Sequence, residues 1–145
     1  MAYDFFVARM KCPNCGETSP DDESTNMQTK IRKEPNLSYL RVGDSVEPAE
    51  PDVAYLTIRK PEPGEDIRIL QTWECPNCNR VDNWAEIVIQ GGIIRSIQPV
   101  SLNRETFRRA NFIEDSAASV ASRLLDIPIN ETIGMDVVQV LRERL

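Results

Sequence analysis

Ile67-Arg68-Ile69-Leu70-Gln71-Thr72-Trp73-Glu74-Cys75-Pro76-Asn77-Cys78 carries the two readings on which the fold turns. Ile67, Ile69, Gln71 and Trp73 fall on one face of an extended segment, the period-two pattern of a β-strand. The strand runs directly into a C-x-x-C pair, and the same phrase, Cys12-Pro13-Asn14-Cys15, stands near the start of the chain. The two copies hold every cysteine, and the sequence contains no histidine. Two cysteines separated by two residues can set both sulfurs on one cation as a turn closes around it. Four such sulfurs satisfy a tetrahedral metal with no position left open. Proline after the first cysteine presets the turn. Gly16 and Asn79, which follow the two pairs, can take the left-handed conformation that such a turn needs. The spacing therefore predicts a closed, structural site for one zinc ion at Cys12, Cys15, Cys75 and Cys78.

Fifty-nine residues separate Cys15 from Cys75. Each doubling of a flexible loop costs about 0.6 kcal/mol, whereas structural zinc contributes on the order of 10 kcal/mol. The gap is therefore no obstacle, and the insertion over residues 16–74 reads as strands that extend the sheet. Strand candidates are Tyr3–Lys11, Met27–Lys33, Leu37–Val42 and Ala54–Lys60, with breaks at Glu34-Pro35-Asn36, Gly43-Asp44 and Pro61-Glu62-Pro63-Gly64. The polar stretch Glu17–Asn26 reads as an exposed loop. Downstream of the second pair, Trp84–Gln90 and Ile93–Val100 flank Gly91-Gly92, a two-residue hairpin turn in which both glycines tolerate positive φ.

From residue 101 the pattern becomes helical. A first helix begins at an Asn103 N-cap, with Phe107 and Phe112 able to face the sheet. A second covers Asp115–Leu125, where Ala117, Val120, Ala121, Leu124 and Leu125 follow helical spacing, and Pro128 ends it. A last one starts at Glu131 or Gly134 and ends at Arg144, with Ile133, Val137, Val140 and Leu141 on one stripe. All strands precede all helices in this reading. It gives an α+β chain of one domain: an antiparallel β-sheet over residues 1–100 that could close into a barrel and carries the four-cysteine site, then two or three helices over residues 101–145.

The segments Met10–Gly16 and Trp73–Trp84 resemble the zinc-ribbon and rubredoxin-like superfamily of two-knuckle metal sites, over less than a fifth of the chain. The resemblance is specific for a metal site and not for a function. Trp73-Glu74-Cys75-Pro76-Asn77-Cys78 is similar to the second iron-binding turn of a rubredoxin, which implies iron and electron transfer as an alternative. Asn79 stands where rubredoxins carry glycine, and the long insertion and helical tail have no counterpart in such small carriers. Zinc is the expected metal.

With 145 residues the chain has the usual size of one domain. Its net charge of −6 disfavours a general nucleic-acid binder, since non-specific affinity comes from cations that neutralise phosphates. The charge is uneven. Between Asp44 and Asp66 seven acidic residues face only Arg59 and Lys60, whereas residues 101–145 hold six arginines and seven carboxylates. Arg104, Arg108 and Arg109 on the first helix are thus a candidate patch for phosphate or an acidic partner, or a solvated face paired with Glu105 and Glu114. The absence of histidine removes the commonest general base, and no P-loop, G-x-G-x-x-G or G-x-S-x-G is present. No apolar run approaches the roughly 20 residues of a membrane span, and Met1–Val7 has neither the basic start nor the apolar length of a secretory signal. A reducing cytoplasm, where thiols hold metal, is the expected compartment. The function expected is non-enzymatic: an adaptor, inhibitor or accessory subunit that contacts a protein partner, with a nucleic-acid-binding ribbon as the alternative.

Overall fold

Among the residues that the computed structural model describes, 3–47, 56–114, 124–132 and 136–144, the alternating segments form short strands before the second cysteine pair and long ones around it. In chain order these are β1 (Asp4–Phe6), β2 (Met27–Thr29), β3 (Tyr39–Leu40), β4 (Leu56–Thr57), β5 (Ile67–Trp73), β6 (Asn83–Gln90) and β7 (Ile93–Val100). Helix α1 (Arg104–Arg109), strand β8 (Phe112–Glu114) and helix α2 (Val137–Arg144) follow. A small sheet has the order β2-β1-β3, and a larger one the order β4-β8-β5-β6-β7.

The hairpin β6–β7 turns at Gly91 and Gly92, whose φ angles of 59° and 77° match the twist of the flanking strands. Its register shifts once, so that Ile87 faces Ile97 while Ile89 faces Ile94. The extra residue on β7 is a bulge, and it puts both Ile94 and Ile97 on the core face where strict alternation would separate them. On that face Ile69, Trp73, Ala85, Ile87, Ile89 and Phe112 pack against Phe6, Met27 and Leu40 of the small sheet. The opposite face presents Leu70, Trp84 and Ile113 to Phe107, Ala110 and Leu141 of the helical part. The larger sheet is thus a middle layer. Trp73 and Trp84 are both buried, and they point to opposite sides of it.

Several expectations are corrected. The sheets are mixed and not antiparallel throughout, because β1 pairs in parallel with β3 and β5 with β8. Two separate sheets form among the described residues, and no barrel closes. Nor do all strands precede the helices. Helix α1 stops after Arg109, and Phe112 lies in β8, not on a helix. The cause is Asn111, fully buried, whose Oδ1 accepts from the Arg68 N–H at 2.8 Å and whose Nδ2 donates to the Arg59 carbonyl at 3.0 Å. Its backbone bonds the same neighbours, with the N–H donating to the Arg68 carbonyl and the carbonyl accepting from the Ile58 and Arg59 N–H groups, so this residue ties the chain between β5 and the segment that follows β4. The N-cap at Asn103 is as expected and forms a reciprocal capping box with Thr106. Of the second expected helix, only Leu124 and Leu125 lie within the described residues, and both are helical. Of the last stripe, Leu141 is buried on the chain's own sheet, while Ile133 lies outside the described residues.

Asp4 occupies a core position of β1 and is fully buried. Arg32 grips it with two nitrogens at 2.7 and 2.9 Å, and the N–H groups of Asn36 and Ser38 donate to it at 3.0 and 2.8 Å. Burial by itself raises this carboxyl's pKa, but Arg32 and the two amides outweigh it and hold it below its ordinary value. The folded pKa being depressed, the stabilisation is complete above the unfolded value of about 3.9 and is lost as pH falls through the folded pKa. Asp4→Ala strands a half-buried guanidinium and two amides, and should lose about 3 kcal/mol or more at pH 7. Denaturant titrations at pH 7 and in the acid limb check this. The gap between variant and parent should narrow in acid, and a gap independent of pH would contradict the assignment.

Candidate metal centre

The two C-P-N-C phrases fold into turns of the same construction. In the first, the Cys12 N–H donates to the Glu17 carbonyl and the Gly16 N–H to the Cys12 carbonyl, both at 2.9 Å. In the second, the Cys75 N–H donates to the Arg80 carbonyl at 2.9 Å and the Asn79 N–H to the Cys75 carbonyl at 2.8 Å. Gly16 and Asn79 are left-handed, with φ of 77° and 62°, as the turn requires. The first knuckle follows β1 and the second joins β5 to β6, so the two arrive from different sheets. A bond from the Glu74 N–H to the Thr25 carbonyl, 2.9 Å, ties the same two regions beside them.

The four sulfurs all lie within 4.8 Å of one another. Cys12 and Cys78 are 3.7 Å apart, as are Cys15 and Cys75, each pair reaching from one knuckle to the other. A tetrahedral ion with metal–sulfur bonds of about 2.3 Å separates its sulfurs by about 3.8 Å, whereas a disulfide holds them at about 2.05 Å. The donor set therefore fits a four-coordinate metal. Cys12 and Cys75 are buried, and Cys15 and Cys78 lie toward the surface.

The thiols do not ionise alike. Burial opposes the Cys12 thiolate, but the N–H groups of Cys15 and Asn14, with smaller help from Cys75 and Cys78, bring its pKa down to about 6. At Cys15 the Glu17 N–H favours the thiolate, yet desolvation and the three neighbouring sulfurs outweigh it and push the pKa up to about 12. Four negative sulfurs at this spacing repel one another, and a divalent cation removes that repulsion. Asn83 makes the same point from outside the ligand set. It is 3% exposed, its Nδ2 lies 3.8 Å from Cys12 Sγ, and its Oδ1 has no partner among the described residues. An N–H donated to an anionic thiolate is stronger than one donated to a neutral thiol, so this contact favours the thiolate form of Cys12.

The arginines of α1 are placed differently from one another. Arg109 is bound to Glu86 at 2.6 Å and approaches Glu105 at 3.6 Å, which raises its pKa chiefly through Glu86. Arg104 and Arg108 are exposed. Asn83 carried no signal as a residue of the site, since it opens a strand eight residues past Cys75 and meets Cys12 only through the fold.

No family model, curated protein or solved structure matches the chain. No helix among the described residues is long and apolar enough to cross a membrane.

Proposed function

We propose that this chain is a cytoplasmic zinc protein whose metal is structural and which acts without catalysis, by contact with another protein, as an adaptor, inhibitor or accessory subunit. The observation that carries the zinc reading is the convergence of four sulfurs from two matching knuckles at tetrahedral spacing. A site of four protein ligands has no position left for substrate, so the metal's work is mechanical. The partner reading is supported by large apolar side chains held in solvent: Val81 just beyond the second knuckle, and Leu37, Tyr39 and Val42 along the edge of the small sheet. The acidic balance of the chain favours a protein over nucleic acid as the partner.

The test is to purify the chain from its source cell with its metal, and to measure bound metal, colour and co-purifying species. One zinc per chain, no colour and a stoichiometric protein partner are expected. A coloured iron-loaded preparation would replace this reading with electron transfer. Binding to single- or double-stranded DNA or RNA that weakens with salt would replace it with the nucleic-acid-binding ribbon, in which Arg104, Arg108 and Arg109 become candidate contacts.

A further inference from the structure

The repeated phrase suggests two equivalent knuckles, but the side chains around the sulfurs break that equivalence. Asn14, in the first knuckle, sends its Nδ2 across to Cys78 Sγ of the second at 3.5 Å. Asn83, on the strand that leaves the second knuckle, sends its Nδ2 back to Cys12 Sγ of the first at 3.8 Å. The two amides thus cross, each tying its own part of the chain to a ligand from the other. Asn77, at the position in the second phrase that Asn14 holds in the first, donates to no cysteine among the described residues. Cys12 and Cys78, the recipients, are themselves one of the close pairs at 3.7 Å, so both side-chain donors fall on a single edge of the sulfur cluster.

A divalent ion with four thiolates carries a net charge near −2, and Cys12 lies in the apolar core beside Met10 and Trp73. Such a charge in such a place needs donors beyond the metal. Backbone N–H groups supply some, from Cys15 and Asn14 to Cys12 and from Arg80 to Cys78. The side-chain amides add to the set from both sides, Asn83 from the buried side at Cys12 and Asn14 from the exposed side at Cys78. They do so from outside the ligand shell, where orienting partners govern how firmly a metal is held.

We infer that Asn14 and Asn83 are positioning residues of the metal centre: crossed amide donors to Cys78 and Cys12 that set how tightly the chain retains its metal. This rests on the reading of the four cysteines as a metal site. The experiment compares the full chain with Asn14→Ala, Asn83→Leu and the control Asn77→Ala, each loaded with cobalt(II) and then challenged with zinc and with a competing chelator. Leucine keeps the volume of Asn83 and removes its donor. Metal affinity should fall by roughly 10–100-fold in Asn83→Leu, and by a smaller factor in Asn14→Ala because its amide is exposed. Losing an N–H donor raises the sulfur lone pairs, so the sulfur-to-cobalt charge-transfer band should move to lower energy in both variants and stay in place in Asn77→Ala. Packing alone would lower stability without moving that band. If Asn83→Leu does not fold, Asn14→Ala on the exposed knuckle decides. Bands and affinities that coincide with the parent overturn the inference and leave the metal site standing, whereas a parent that takes up no cobalt overturns both.

Discussion

Stripping the metal with a chelator, or replacing Cys75 by serine, should lower the melting temperature by more than about 10 °C or unfold the protein outright. The two knuckles come from different sheets, and the sulfurs draw them to 3.7 Å across the gap. Binding of a structural zinc is worth about 10–16 kcal/mol in small domains, comparable with the whole stability of a typical protein at about 5–15 kcal/mol. A loss of even about 5 kcal/mol translates, at about 2–4 °C per kcal/mol for a chain of this size, into the stated shift. Cys15→Ser separates ligand loss from core damage, because Cys15 lies toward the surface while Cys75 is buried in the core beside Trp73. The two variants should fall together if the metal is what matters. Calorimetry with and without chelator is the measurement, and an apo form melting within a few degrees of the metal-loaded one would remove the structural role.

Trp73→Ala should cost about 3–5 kcal/mol, the range for deleting a fully buried aromatic side chain. Trp73 is 1% exposed, belongs to the core between the two sheets, and stands two residues before Cys75. Its indole N–H donates to the Trp84 carbonyl at 3.1 Å, so truncation also removes a buried donor. Denaturant unfolding at a fixed excess of metal checks this, since metal binding itself shifts the midpoint by mass action. The slope of the transition should be unchanged while its midpoint falls. A loss below about 1 kcal/mol would mean that the small sheet does not press on Trp73 as described.

The parts that could be read from sequence are those whose cause is local. A knuckle is closed by bonds within six residues, and its proline, its two cysteines and the left-handed residue after them all sit side by side in the chain. The Gly91-Gly92 hairpin and the alternation of Ile67, Ile69 and Trp73 are local for the same reason. Strand β8 is not. It has three residues, Phe112-Ile113-Glu114, too few to display a period, and its parallel partner β5 lies some forty residues earlier. Helix α1 ends at Ala110 without a glycine or proline to mark the place, and the residue that redirects the chain, Asn111, looks in sequence like any surface asparagine. Asp4 misleads in the opposite direction. A charge alternating with aromatics reads as the solvent face of a strand, yet Asp4 shares the inner face with Phe6 because Arg32, from 28 residues away, makes its burial possible. The small strands were expected to be longer for a related reason: Met27–Lys33 and Leu37–Val42 have the composition of strands throughout, but only two or three residues of each find a partner.

The position of β8 bears on how the chain is made. All four cysteines have been synthesised by residue 78 and both strands of the β6–β7 hairpin by residue 100, ahead of β8. Yet β5 keeps one edge without its parallel partner until Phe112–Glu114 arrives to lie between it and β4. During synthesis the metal clasp can therefore close around a sheet that is still missing an interior strand, with the Ile69–Gln71 edge open to pairing with a neighbouring chain. Asn111, reaching Arg59 and Arg68 at once, bonds the chain to both sides of that slot one residue before β8 begins.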